Sequence, residues 1–192
     1  MLSQLGRYPR KHTKLAMQAD NDISLCGDCD PITSIDVKVL TNQCEGLMLK
    51  RILYRSHIAD HVGGTEIREI SSHAKAANSI VGIQGALIAI NRYFYQVLEG
   101  HEAVLTPLLR KIQADQRHYE FVVLQDTAIE TSKFDGWDMT LIMSPSPDLE
   151  TCIAQINEAF DNQETSATVQ ARLCEGLVYI ILGAVDAKAV SF

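Results

Sequence analysis

The chain has 192 residues, a formal net charge of −7, and 46% apolar and 21% charged residues. That length fits one domain with extensions and can bury a proper core, while the acidic balance argues against general nucleic-acid binding, which needs a basic footprint. No apolar run is long enough to span a bilayer; the best candidate, Leu177 to Val185, is short and bracketed by Glu175 and Asp186.

Arg7, Arg10, Lys11 and Lys14 have no apolar stretch behind them, so no secretory signal is read and a cytoplasmic location is expected. Five cysteines, an odd set at low density, suit a reducing compartment. Residues 1–46 read as a polar extension, poorly ordered or loosely docked, with a short helix near Lys14–Ala19. Cys26-x-x-Cys29 with Cys44 downstream supplies one pair and one stray thiol. A structural zinc site needs four ligands, so no metal is expected.

A compact pattern fills residues 47–144. Leu49–Tyr54 reads as a first strand, with Ile52, Tyr54 and Ser56 on one side. Gly63-Gly64 marks a turn, Thr65 is the expected N-cap, and Ile67, Ile70, Ala74 and Ala77 form the stripe of a first helix. Asn78 extends that stripe at its C-terminal end. A second strand is expected over Ile83–Ile90, a tight connection at Asn91-Arg92, and a third strand from Tyr93 to Gly100. A second helix follows over Ala103–Asp115, with Leu105, Leu108, Leu109 and Ile112 as its buried face, where Pro107 is tolerable only within the first turn. Strands at Glu120–Gln125 and Asp138–Met143 complete the unit.

The order strand, helix, strand, strand, helix, strand, strand predicts an α+β fold, a ferredoxin-like sandwich with a five-stranded mixed sheet and two helices on one face. Strands one and three are neighbours in that arrangement, so Tyr54 and Gln96 fall side by side beneath the helices. Gln96 shares its face with Phe94 and Leu98, and an unpaired buried amide costs roughly 1–3 kcal/mol. Its carboxamide carries a donor and an acceptor that exchange places by rotation, which suits either a backbone-bonded structural role or a two-position switch. Residues 145–192 form a C-terminal extension of two helices, Leu149–Phe160 and Ser166 to Val185. The apolar surface of the last one, with Leu177 and Ile181, must cover either the open face of the sheet or a partner chain.

In chain order, Leu53-Tyr54-Arg55-Ser56, Asn78, Gly82-Ile-Gln-Gly85-Ala-Leu, Phe94-Tyr-Gln96-Val-Leu-Glu-Gly100, Asp115-Gln-Arg117-His118 and Phe134-Asp-Gly-Trp137-Asp-Met139 resemble the BLUF family, flavin-binding sensors of blue light. The resemblance covers about half the chain. It implies that Tyr54 gives an electron to a photoexcited flavin and that Gln96 bridges phenol and ring. It places Asn78 at the polar edge of the ring, although helix C-capping is a common alternative for asparagine. Ile70 and Ile112 become the aliphatic walls, Arg117 and His118 contacts towards the flavin side chain, and Ser56 a cofactor contact that hydrogen-bonds near Tyr54, with simply ending the strand as its alternative. Trp137 and Met139, at equal strand parity, become residues that face the same way and pass on the signal. The implied cofactor is FAD, with FMN or riboflavin left open because the adenine end lies outside these contacts.

Two positions depart from the family pattern. Gln84 stands where threonine is usual, which brings a second amide near the pocket, and Ala77 stands where asparagine or histidine is common. The expected activity is that of a photoreceptor without an attached catalytic domain. It would signal by altered association with an unidentified downstream protein, as a homo-oligomer, with no membrane or nucleic-acid partner. The alternative is a flavin or small-ligand binding protein without light output, and a second alternative is a redox enzyme using Cys26 and Cys29.

Overall fold

The alternation of apolar residues along the strands produces one sheet with two different cores. The computed structural model describes residues 48–162 and 165–189, the side chains of 184–189 excepted. Its elements are β1 (Leu49–Ile58), α1 (Gly64–Val81), β2 (Gln84–Ile90), β3 (Tyr93–His101), α2 (Glu102–Gln113), β4 (His118–Ala128), β5 (Thr140–Ile142), α3 (Pro147–Asp161) and α4 (Ala167–Ala189). The sheet order is β4-β1-β3-β2-β5. All neighbours are antiparallel except β2 and β5. This is the expected ferredoxin-like α+β sandwich. The helix expected near Lys14–Ala19 and the Cys26, Cys29 and Cys44 set lie outside the described residues.

Local chemistry sets the junctions. The β2–β3 hairpin turns at Asn91 and Arg92, both with positive φ (49° and 68°), the backbone that matches strand twist in a two-residue loop. Helix α1 starts earlier than expected. Gly63 is its N-cap, the Glu66 carboxylate accepts from the Gly63 N–H at 3.0 Å, and Thr65 lies inside the first turn. Gly82, at φ 68°, ends it in the left-handed cap that glycine adopts without a Cβ penalty, donating to the Asn78 carbonyl. The cap is therefore a backbone matter, and the Asn78 side chain is released for another use. Helix α2 begins at Glu102, so Pro107 falls in its second turn and removes an intrahelical donor there.

Ile52, Tyr54, Leu87, Phe94, Leu98, Leu105 and Met139 form the core beneath α1 and α2. Leu53, Ile88, Tyr95 and Val97 point the other way, against Leu149, Ile153 and Ile156 of α3 and Leu177 and Ile181 of α4. Each such fully buried side chain contributes about 1.5–3 kcal/mol. Leu177 and Ile181 are fully buried. They cover the sheet of their own chain, so the partner-chain alternative for this face does not hold. Among the described residues no helix is long and apolar enough to cross a membrane.

Candidate functional site

The register set by the β2–β3 hairpin and the neighbouring β1 makes Tyr54 and Gln96 direct cross-strand partners. Both are buried, at 3% and 5% exposure. The Tyr54 hydroxyl donates to Gln96 Oε1, and Gln96 Nε2 approaches the Met139 sulfur at 3.2 Å. The amide is thus engaged at both ends, by a phenol and by a weak thioether acceptor. Burial pushes the Tyr54 phenol well above its ordinary pKa, helped by the negative charge of Asp115. It remains neutral across physiological pH and keeps its proton for the bond to Gln96.

Above this pair α1 and α2 leave a cavity of about 350 Å³, within the usual range for a small-molecule site. Tyr54, Leu87, Phe94, Gln96 and Leu98 line it from the sheet. Ile70 and Ile112 face it from the two helices, and Asn78, Asp115, Arg117 and His118 supply polar groups. Seven sequence-predicted residues, Tyr54, Gln96, Asn78, Ile70, Ile112, Arg117 and His118, therefore meet at one cavity.

Two of them carry buried polar atoms with no hydrogen-bond partner among the described residues, Asn78 Oδ1 and His118 Nδ1. Asn78 is 2% exposed, and its Nδ2 only approaches the Asp138 carbonyl at 3.5 Å. An orphaned buried polar atom costs roughly 1–3 kcal/mol. Two of them, on residues that line one cavity, fit a ligand with a flat apolar body and a polar edge, as a flavin has. Burial lowers the His118 pKa, against the pull of Asp115 and of a hydrogen bond with the Ile112 backbone. Its imidazole is mainly neutral at pH 7. Burial alone would raise the Asp115 pKa, but hydrogen bonds from Arg117 outweigh it and hold the carboxylate below its ordinary value. Arg117 Nε and Nη2 reach that carboxylate at 2.9 and 2.5 Å.

Three expectations are corrected. Met139 is buried beside Gln96, whereas Trp137 packs edge-to-face on Phe134, centroids 5.3 Å apart, against the opposite core. They do not face the same way because β5 begins only at Thr140 and Gly136 turns the chain at φ 81°, so strand alternation does not apply. Gln84 stays away from the cavity. Its Nε2 donates to Asp135 at 3.0 Å and its Oε1 accepts from Ser132 at 2.6 Å. Ser56 is buried in β1 with no partner for its Oγ among the described residues and is not one of the residues lining the cavity. It does not end the strand, which continues to Ile58.

A second polar group lay outside the expectation. Glu99, 1% exposed, pairs with Arg51 at 2.6 Å. It also accepts from Ser132 Oγ at 2.6 Å and from the backbone N–H groups of Lys133 and Phe134 at 2.7 and 3.3 Å. Arg51 reaches Glu175 of α4 at 3.3 Å, and Gln125 bonds the same carboxylate at 2.8 Å. The signal was present in the sequence. The register that pairs Tyr54 with Gln96 also sets Arg51 opposite Glu99. Beside these, Gly85 lets β2 approach β3, since a Cβ there would meet the Val97 carbonyl at 2.0 Å. The Gly85 N–H binds the Trp137 carbonyl at 2.8 Å.

A sheet roofed by two helices, with a phenol–carboxamide pair on the floor of a cavity, defines an α+β small-molecule-binding fold, and comparison with known proteins shows what it resembles. The family model of BLUF, sensors of blue light using FAD, matches residues 49–140, so that segment is a BLUF domain. The blue light- and temperature-regulated antirepressor BluF of Escherichia coli K12 is 38% identical over 77 residues, covering 40% of this chain and 19% of that protein. The chain thus spans about a fifth of the length of that curated relative. The photo-activated state of BlsA is 29% identical with a TM-score of 0.56, covering 68% of this chain and 96% of that one. The dark-state structure of BlrB, a BLUF protein at 22% identity and a TM-score of 0.57, shares the fold over 72% of this chain and 98% of its own.

Proposed function

We propose that Tyr54 and Gln96 are the light-responsive pair and that the change at Gln96 leaves the site through Met139 towards α4. The observation that carries this reading is the hydrogen bond from the buried Tyr54 phenol to Gln96 at the floor of the cavity. Asn78 and His118 would hold the polar edge of FAD, Ile70 and Ile112 its faces, and Arg117 its side chain. When bound, FAD would absorb blue light and supply a one-electron acceptor. Tyr54 gives up one electron and later recovers it. Oxidation makes the phenol strongly acidic, so its proton moves along the existing bond to Gln96 Oε1. When the electron and proton return, the carboxamide is left rearranged, and the bond from its Nε2 to the Met139 sulfur changes.

The proposed output is a change in association, which requires a partner with different affinity for the two states. Met139 closes the segment whose Ser132, Lys133 and Phe134 are held by Glu99. Arg51 joins that carboxylate to Glu175 on α4. The polar contacts from Ser132–Phe134 through Glu99 and Arg51 to Glu175 support α4 as the output element. Its outer side, with Tyr179 and Val169 at 62% and 45% exposure, remains to meet a downstream protein or a second copy.

A visible spectrum recorded before and after blue illumination tests the reading. The FAD-loaded protein should shift reversibly to longer wavelength, and Tyr54→Phe and Gln96→Leu should each abolish that shift while retaining FAD. Retention of the full shift in both variants would reject the pair as the responsive element.

A further inference from the structure

The Tyr54 phenol is fixed at its hydroxyl by Gln96, but its ring is fixed from another strand. Phe121 of β4 stands with its centroid 4.4 Å from that of Tyr54 and its plane tilted by 34°. Within the run Tyr119–Val123 only Phe121 is turned inward; Tyr119, Glu120, Val122 and Val123 are exposed. The ladder explains why. Pairing of β1 with β4 slips between Leu53 and Tyr54 and again between Arg55 and His57. At the second slip two β4 residues, Glu120 and Phe121, oppose Ser56, and Glu120 adopts a left-handed backbone with φ 51°. A bulge of this kind re-aims a side chain and is strained at a non-glycine residue. Here it brings a ring onto Tyr54 at an edge strand that would otherwise leave the phenol open to water.

We infer that Phe121 is a positioning residue for Tyr54, holding the phenol ring in register with Gln96 and stabilising the positive charge that develops on it when it loses an electron. The inference rests on the reading of Tyr54 as electron donor. An aromatic face is negative and attracts a neighbouring cation, an effect absent for an aliphatic side chain of similar size. The electron balance is simple. One electron leaves Tyr54 for bound FAD in its excited state, the phenolic proton moves towards Gln96 Oε1, and both return.

The test compares the full-length, FAD-loaded parent with Phe121→Leu, Phe121→Tyr and Tyr54→Phe. Two readouts are used: the fluorescence lifetime of bound FAD, which electron transfer from Tyr54 shortens, and the dark-state NMR resonance of the Tyr54 ring, assigned by its loss in Tyr54→Phe. Phe121→Leu should slow the quenching about twofold to fivefold and move the Tyr54 resonance through loss of the adjacent ring current. Phe121→Tyr should restore both. Should Phe121→Leu fail to retain FAD, Phe121→Met keeps the apolar volume and gives the same readings. A longer lifetime in Tyr54→Phe with none in Phe121→Leu or Phe121→Met overturns the Phe121 role alone. An unchanged lifetime in Tyr54→Phe overturns the donor assignment and the Phe121 role with it.

Discussion

On the α1–α2 face of the sheet two buried polar atoms, Asn78 Oδ1 and His118 Nδ1, have no partner among the described residues and belong to residues that line a cavity. On the α3–α4 face the carboxylate of Glu99 is equally buried, yet it accepts from Arg51, Ser132 and two backbone N–H groups, and Leu177 and Ile181 fill the space above the strands. The same β-strands build both. The pleat sends Tyr54, Gln96 and Leu98 one way and Leu53, Tyr95, Val97 and Glu99 the other. The difference separates a face whose buried charge the chain itself pairs, with Gln125 Oε1 the unpartnered atom among the described residues there, from a cavity that a ligand completes. Substitutions on the first should cost stability, and substitutions on the second should cost ligand.

The largest effect on stability is expected at Glu99. Glu99→Ala leaves the Arg51 guanidinium without its buried counter-charge and the Lys133 N–H without its acceptor, while the Phe134 N–H keeps Ser132 Oγ. Breaking such a pair costs about 3–5 kcal/mol, to be read from urea unfolding. A loss under about 1 kcal/mol would mean that water or another carboxylate takes over, and that the face is less finished than it looks. Leu177→Ala follows, at about 2–5 kcal/mol for a buried leucine. The same melts check it, and a change in subunit association without a change in stability would contradict the packing of α4 on its own sheet.

Across the sheet the signs should differ. Asn78→Ala removes an unpaired buried acceptor, so the flavin-free protein should be no less stable. FAD should then bind about tenfold more weakly, the loss of one hydrogen bond of about 1.4 kcal/mol. Equilibrium titration of FAD alongside thermal melts of the flavin-free protein separates the two quantities. If Asn78→Ala destabilises the empty protein instead, its side chain is a structural brace and the contrast between the faces weakens.

The smallest effect concerns pH. His118 has its pKa lowered in the fold from the ordinary 6.5. The unfolded chain takes up the proton first as the medium is acidified. The contribution of the neutral imidazole is therefore complete above 6.5 and is lost as pH falls through the lower folded-state value. The urea midpoint should decline between pH 7 and pH 5 more steeply in the parent than in His118→Gln. Parallel declines would remove His118 as the cause.

Where period and strand order decide, the molecule was legible. Tyr54 beside Gln96 required only that β1 and β3 be neighbours, and Ile70, Asn78 and Ile112 follow from helical stripes. Trp137 was misplaced because the chain from Ile129 to Met139 is mostly loop, held by Glu99 and turned at Gly136, and alternation has no force there. Gln84 was misplaced for a related reason, since its partners Ser132 and Asp135 belong to that same loop. The partner of the α4 surface was ambiguous because an apolar stripe says what must be covered and not by what. Phe121 escaped notice because its inward turn depends on a bulge, and a bulge leaves no periodic mark.

Light-minus-dark infrared spectroscopy of the FAD-loaded protein with isotopically labelled glutamine tests the central claim most directly. A side-chain carboxamide band should shift on illumination, revert in the dark, and be missing from Gln96→Leu. A protein that shows its visible colour change with no glutamine band moving would contradict the account, because the switch would then lie elsewhere than in the amide bonded to Tyr54.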